Sequence, residues 1–162
     1  MMDRLLEKWL TKNNINYKLH YHPPVFTVEE ARKHCYHIPG LHAKNLFLKD
    51  SKSKNHYLIT LPHYKRVEMK EIRKKVGAKK LTFGRSEELS RILNLEPGSV
   101  SPFGLVNDNL NQVIYIVDED VWTAEKVCFH PNINTATLEL DQSDFQNAIK
   151  ATNNQFHVIN FD

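Results

Sequence analysis

Short runs that are apolar, or that alternate apolar and polar residues, recur along the chain, and helix-like segments separate them at irregular intervals. That order constrains the fold more than any single motif does. A first helix is predicted over Asp3–Lys12, with Leu5, Leu6, Trp9 and Leu10 on one stripe. A strand near Tyr17–Tyr21 ends at His22-Pro23-Pro24, since proline removes ladder donors. Thr27 and Glu30 have capping-box spacing for a helix running to Cys35. Strands near 44–50 and 56–61 flank the polar stretch 51-SKSKN-55, which suits a hairpin loop. A helix near 67–76 stops at Gly77, and a short strand covers 80–83. Ser86, followed by Glu87 and Glu88, opens a helix to about Leu93. Further strands fall at 112–118, 126–130 and 135–140. Ser143 and Gln146 repeat the capping-box spacing for a helix near 144–151, and a last strand covers 155–160. About seven or eight strands with helices placed irregularly do not make a βαβ series, so the prediction is an α+β domain around a mixed, largely antiparallel sheet.

The 162 residues suit one compact domain spanning 1–162. Hydrophobic residues at 41% and charged residues at 25% are ordinary for a globular protein. No apolar run approaches the ~20 residues that cross a bilayer. The opening MMDRLLEKWLTKNN is too charged for a signal peptide, so a cytoplasmic protein without a membrane partner is expected. Two cysteines, Cys35 and Cys128, make no disulfide framework. His34 and His37 form an HxxH and His20 and His22 an HxH, but neither has a second ligand cluster at a zinc-type distance. They read as solvated histidines, with no metal. The chain lacks GxGxxG, Walker A and kinase signatures, so no cofactor is expected. Net charge is +3, and basic residues gather in 70-KEIRKKVGAKK-80. Lys70, Arg73, Lys74, Lys75, Lys79 and Lys80 form either a surface that follows a phosphate backbone or one solvated helix face.

Three stretches carry more polar residues and glycine than loops require. In 41-LHAKNLFLKD-50, Lys44 and Asn45 stand at the mouth of an apolar strand. In 97-PGSVSPFGLVND-108, Gly98 and Pro102 bracket a tight loop and Gly104 follows. Successive amides in such a loop can form a concavity for an anion or a carbonyl oxygen, and the alternative is a plain turn. In 129-FHPNINTAT-137, Pro131 ends a strand and leaves His130 at a sheet rim, where it can hydrogen-bond a ligand. Cys128 and His130 share a strand face, but they lack a third orienting group, so a packed cysteine is preferred to a Cys–His nucleophile.

Taken in order and spacing, 44-KNLFLKD-50, 97-PGSVSPFGLVND-108 and 129-FHPNINTATLEL-140 resemble the YbaK/prolyl-tRNA-synthetase-associated domain family, and in detail its free-standing PrdX or ProXp-Ala branch. The resemblance runs from 20-HYHPPVFTVEEA-31 to the end of the chain. It implies a sheet partly rolled up and flanked by helices. It also implies a trans-editing deacylase that hydrolyses the aminoacyl ester of mischarged tRNA, foremost alanine on proline tRNA. The tRNA acceptor end is then the partner, and prolyl-tRNA synthetase a further one. The family's lysine falls on Lys44, its companion asparagine on Asn45, its GxxxP loop on Gly98 to Pro102 and its histidine on His130.

With no Ser-His-Asp set in view, attack by a water positioned by the neighbouring ribose hydroxyl fits both the residues and the family. Lys44 then holds a phosphate or the substrate carbonyl, Asn45 orients the ester or pins a loop, and amides of the loop that includes Gly98 and Ser99 receive the oxyanion. His130 shapes the pocket. Val25, Phe26, Phe47 and Phe103 are candidate walls for a small apolar pocket, with Thr27, Val100, Ser101, Pro102, Gly104 and Asn132 as further substrate contacts. The basic 70–80 segment is the candidate tRNA surface. Two alternatives stay open: a deacylase for cysteine, serine or threonine on tRNA, and a non-catalytic tRNA- or synthetase-binding module. A metal-dependent hydrolase is more remote.

Overall fold

The computed structural model describes residues 2–162. Eight strands carry the fold: β1 (Lys18–Tyr21), β2 (Leu41–Asp50), β3 (His56–Pro62), β4 (Leu81–Phe83), β5 (Val113–Asp118), β6 (Lys126–Phe129), β7 (Ala136–Asp141) and β8 (Phe156–Ile159). They lie in the order β1-β7-β6-β2-β3-β5-β8, with β4 added to β2. Pairs β1/β7, β6/β7, β2/β3 and β2/β4 are antiparallel, whereas β2/β6, β3/β5 and β5/β8 are parallel. The sheet is therefore mixed, and the α+β expectation holds. Helices α1 (Arg4–Lys12), α2 (Val28–His34), α3 (Met69–Val76), α4 (Ser86–Leu93), α5 (Glu119–Thr123) and α6 (Gln142–Ala151) pack around it. Among the described residues no helix is long and apolar enough to cross a membrane.

Strand β2 is the hub. One edge pairs with β3 from Ala43 to Lys49. The other edge is shared: β6 takes Leu41 and His42, and β4 takes Leu48 to Asp50. Residues 43–47 thus have a register partner on β3 alone; the Gly84 amide donates to the Phe47 carbonyl at 2.8 Å, so the second edge is open at 43–46. The two faces of the sheet bury separate cores. Phe47, Leu58, Tyr115, Phe129 and Phe145 belong to the larger. Leu48, Ile59, Leu61, Ile72 and Phe161 belong to the smaller. Each such side chain contributes roughly 1.5–3 kcal/mol on burial.

Local chemistry explains most boundaries. Asp3 caps α1 by accepting from the Leu5 amide. Thr27 accepts from the Glu30 amide at 3.1 Å, so the predicted cap forms, while the Glu30 carboxylate reaches back one residue further, to Phe26 N, and to Thr27 Oγ1. Gly77 ends α3 at φ 74°, the left-handed conformation that glycine adopts without strain. Asp50 ties two connections together: its carboxylate accepts from Lys52 N and Ser53 Oγ in the β2–β3 loop and from Lys79 N and Lys80 N before β4. The Lys79 amide bond leads the interactions that hold this carboxyl far below the usual range.

Ser86 opens α4 as expected, and Arg85 before it holds the cap position without a side-chain cap bond. The second capping box does not form. Helix α6 begins at Gln142, ahead of Ser143, and Gln146 Nε2 donates instead to the Trp122 carbonyl at 2.8 Å.

Candidate active site

The open stretch of β2 is where the sequence-predicted residues converge. Asn45 pairs with Thr60 across the β2–β3 hairpin. The Tyr115 hydroxyl donates to Thr60 Oγ1 at 2.7 Å, Thr60 donates to Asn45 Oδ1 at 2.6 Å, and Asn45 Nδ2 donates to the Val100 carbonyl at 3.3 Å. Tyr115 and Thr60 are both 0% exposed. Burial pushes the Tyr115 hydroxyl up, so it stays protonated and acts as a donor. The direction of each proton is thereby set, and the Asn45 amide must present its NH2 to the 97–104 loop. Neither Thr60 nor Tyr115 is among the sequence-predicted residues. The signal that could have found Thr60 is the hairpin register, which sets it opposite Asn45.

The loop is two short 3-10 turns, Pro97–Ser99 and Pro102–Asn107. Ser101 Oγ accepts from the Phe103 amide at 3.1 Å, and the Gly104 amide donates to the Ser101 carbonyl at 3.0 Å. The Ser99 amide closes on Glu96 O at 2.9 Å. These bonds leave the Gly98, Val100 and Ser101 amides as the loop's remaining donors, so Ser99 does not supply its own. Gly104 lies against Leu95, whose Cδ1 would be 2.6 Å from an added Cβ. Phe26, 72% exposed, and Asn134 cover Gly98, their nearest atoms 3.4 and 3.7 Å from where a Cβ would stand.

Two hollows flank Asn45. The smaller, about 90 Å³, is lined by Val25, Ala43, Asn45, Cys128, Phe129 and His130 among others. The larger, about 220 Å³, is lined by Asn45, Leu46, Phe47, Phe83, Pro97 and Val100 among others. Val25 thus lines the small hollow, where a wall was expected, whereas Phe47 lines only the larger one. Phe103 is not a wall: it is 1% exposed, points into the larger core and meets the Phe129 ring edge-on at 6.1 Å, which anchors the loop. Thr27 is spent on its cap. Pro102 is buried beside Phe103.

His130 Nδ1 donates to the Ala136 carbonyl at 3.0 Å, which leaves Nε2 as an acceptor. Burial, reinforced by His22, lowers its pKa, so the ring is neutral at neutral pH. Asn132, at φ 64°, donates from Nδ2 to the Phe103 carbonyl at 3.3 Å while its Oδ1 is buried without a partner. Burial raises the Cys128 thiol to about 12, and burial also raises Cys35, whose Sγ lies 3.5 Å from His22 Nε2. Both remain thiols and pack the small hollow. Among the described residues no group of three or more His, Cys, Asp or Glu side chains is placed to hold a metal ion.

Lys44 parts company with Asn45. Strand alternation turns it to the opposite face, across from Leu61 of the smaller core, and it lines neither hollow. Its ammonium donates to the Lys65 carbonyl. Burial, then Arg66, lowers its pKa. Lys65 is itself clamped by Asp118 at 2.9 Å, Asp120 at 3.0 Å and Asp162 at 2.6 Å. Burial pulls the Lys65 ammonium down, but these carboxylates outweigh it and hold the pKa above its usual value. In the basic segment Lys70, Lys74, Lys75, Lys79 and Lys80 are exposed and Arg73 is half-buried. Arg73 donates to the Ala78 carbonyl, and Lys75 donates to the Asn160 carbonyl and lies over the Phe161 ring.

The aminoacyl-tRNA editing domain pattern matches residues 22–148. The chain belongs to that family. The prolyl-tRNA editing protein ProX of Acetoanaerobium sticklandii is 37% identical over 150 residues, 93% of this chain and 92% of that one. The prolyl-tRNA synthetase associated domain-containing protein 1 of Mus musculus is 37% identical over 145 residues, 87% of this chain and 85% of that one. The fold superposes on the hypothetical protein APE2540 with a TM-score of 0.74, at 19% identity, over 96% of this chain and 98% of that one.

Proposed function

We propose that this protein is a trans-editing aminoacyl-tRNA deacylase whose substrate is alanine esterified to proline tRNA. One observation carries the reading: an amide held between buried Thr60 and the Val100 carbonyl stands at an open strand edge, beside a hollow of about 90 Å³. That volume accommodates roughly two or three groups the size of a water, at ~30 Å³ each. A methyl side chain and an ammonium fit it, and branched side chains such as those of valine and leucine clash. The names of the relatives support prolyl-tRNA as the context, and a cytoplasmic setting beside prolyl-tRNA synthetase goes with that reading.

The chain's groups orient the ester and stabilise charge. The remaining amides of the loop, at Gly98, Val100 and Ser101, receive the carbonyl oxygen as negative charge develops, each such donor being worth about 2.7–4 kcal/mol. Asn45 holds that loop at its distance. Neutral His130 offers Nε2 to the substrate's ammonium. The attacking water is placed by the ribose hydroxyl next to the ester, since both cysteines are protonated. Lys44 reaches round the open edge from the face where the Lys65 carbonyl holds it and meets the substrate's phosphate or carbonyl. Lys70, Lys74, Lys79 and Lys80 face the acceptor stem.

A deacylation panel tests this. Purified protein releases alanine from proline tRNA faster than it releases cysteine, serine or threonine, and Lys44→Ala and Asn45→Ala abolish the release. Tight tRNA binding without turnover would replace the reading with a binding module, and full turnover by Lys44→Ala would remove the role given to that lysine.

A further inference from the structure

The larger hollow is not needed to hold a small amino acid. We infer that it receives the terminal purine base of the RNA, with Phe83 as the surface on which that base stacks. The inference rests on the deacylase reading and extends it to a second subsite.

Asn45 lines both hollows, so an ester gripped there sends its acyl group one way and its alcohol the other. Only the hollow of about 220 Å³ has room for a flat bicyclic ring; the other, at about 90 Å³, does not. Its walls suit a base. Leu46, Pro97 and Val100 give apolar sides, and no acidic residue lines it. The open edge of β2 at residues 43–46 supplies backbone N–H and C=O groups that β3 does not take, and a purine edge carries matching acceptors and donors.

Phe83 ends β4 at the rim and is 65% exposed, although it pairs in register with buried Leu48. An aromatic ring held in water beside an apolar slot is poised for stacking. The floor beneath it is stiff. An added Cβ on Gly84 would lie 2.3 Å from the Phe47 ring, so chain and ring are in direct contact. Phe47 stacks on His56 with centroids 5.4 Å apart and planes at 10°. His56 is bonded to Glu88 at 2.7 Å, and Lys49 to the same carboxylate oxygen at 3.1 Å.

The test pairs a variant with a substrate change. Phe83→Ala and Phe83→Trp are assayed by steady-state deacylation of alanyl-tRNA ending in adenosine, and of the same RNA lacking its terminal base. On the adenosine-ended RNA, Phe83→Ala raises KM roughly five- to hundredfold with kcat little changed, and Phe83→Trp stays near wild type. On the abasic RNA the wild type already shows that loss, and Phe83→Ala adds little to it. Equal effects of Phe83→Ala on both RNAs, or no effect on either, overturn the inference while leaving the deacylase reading intact. So does a change in amino-acid preference in place of base dependence. A wild type that releases no amino acid from either RNA overturns both.

Discussion

Replacing Thr60 by valine keeps the shape of the side chain and removes the one oxygen that links Tyr115 to Asn45. In the folded protein the Thr60 hydroxyl accepts from Tyr115 and donates to Asn45, at 2.7 and 2.6 Å. The valine variant strands the Tyr115 hydroxyl at 0% exposure, where water cannot reach it. An unsatisfied buried donor costs about 1–3 kcal/mol, and the weakened Asn45 contact adds about 0.5–1 kcal/mol. The sum, roughly 2–4 kcal/mol, lowers Tm by about 4–16 °C for a chain of this length. Urea denaturation followed by circular dichroism reads it as a lower midpoint with an unchanged slope. Adding Tyr115→Phe removes the stranded hydroxyl, so the double variant regains most of the lost stability. Deacylation does not return, because Asn45 still has nothing to fix its amide. A double variant as unstable as the sum of the singles, or Thr60→Val with full activity, would refute this account of the network.

Three other outcomes follow from the same structure. Lys65→Met leaves the fully buried Asp118 carboxylate without its cation and costs about 3 kcal/mol, the lower end for a broken buried pair because Asp120 and Asp162 are exposed. An unchanged denaturation midpoint would show that the three carboxylates are not clamping this lysine. Glu88 is held at about 2, below its ordinary 4.5, by the His56 hydrogen bond first and the Lys49 bond after it. A depressed carboxyl stabilises the fold above its unfolded value, so stability drains away as pH falls from 4.5 towards 2, and Glu88→Gln flattens that acid limb in a pH titration of folding. An acid limb of equal depth in both proteins counts against it. Cys128, at about 12, is a protonated thiol at neutral pH, so brief iodoacetamide treatment at pH 7 leaves deacylation intact, and rapid inactivation would reopen a thiolate mechanism.

The strands, the α+β class and the cap at Thr27 were readable because each depends on neighbours in sequence. The spacing at Ser143 and Gln146 looked the same but failed, since a helix starting at Gln142 and a carbonyl from Trp122 offered better bonds. Lys44 and Asn45 were legible as an odd polar pair, yet a period of two sends adjacent residues to opposite faces, and only Asn45 enters the slot. Phe103 read as a wall because it sits in the loop, whereas the 3-10 turn directs it into the core. Thr60 and Tyr115 looked like ordinary strand residues. Their meaning comes from a hydrogen bond between residues 55 positions apart, which local pattern does not report.

The open stretch on β2 also bears on how the protein keeps to itself. An unpaired strand edge ordinarily invites a stranger's strand, the first step towards aggregation. Here β6 closes one end, and β4 with the Gly84 amide on the Phe47 carbonyl closes the other, leaving only residues 43–46 bare. Four residues fall short of the ~5–6 of a usual strand, so an intruding chain finds too few rungs to hold. A compact ester needs no more than that.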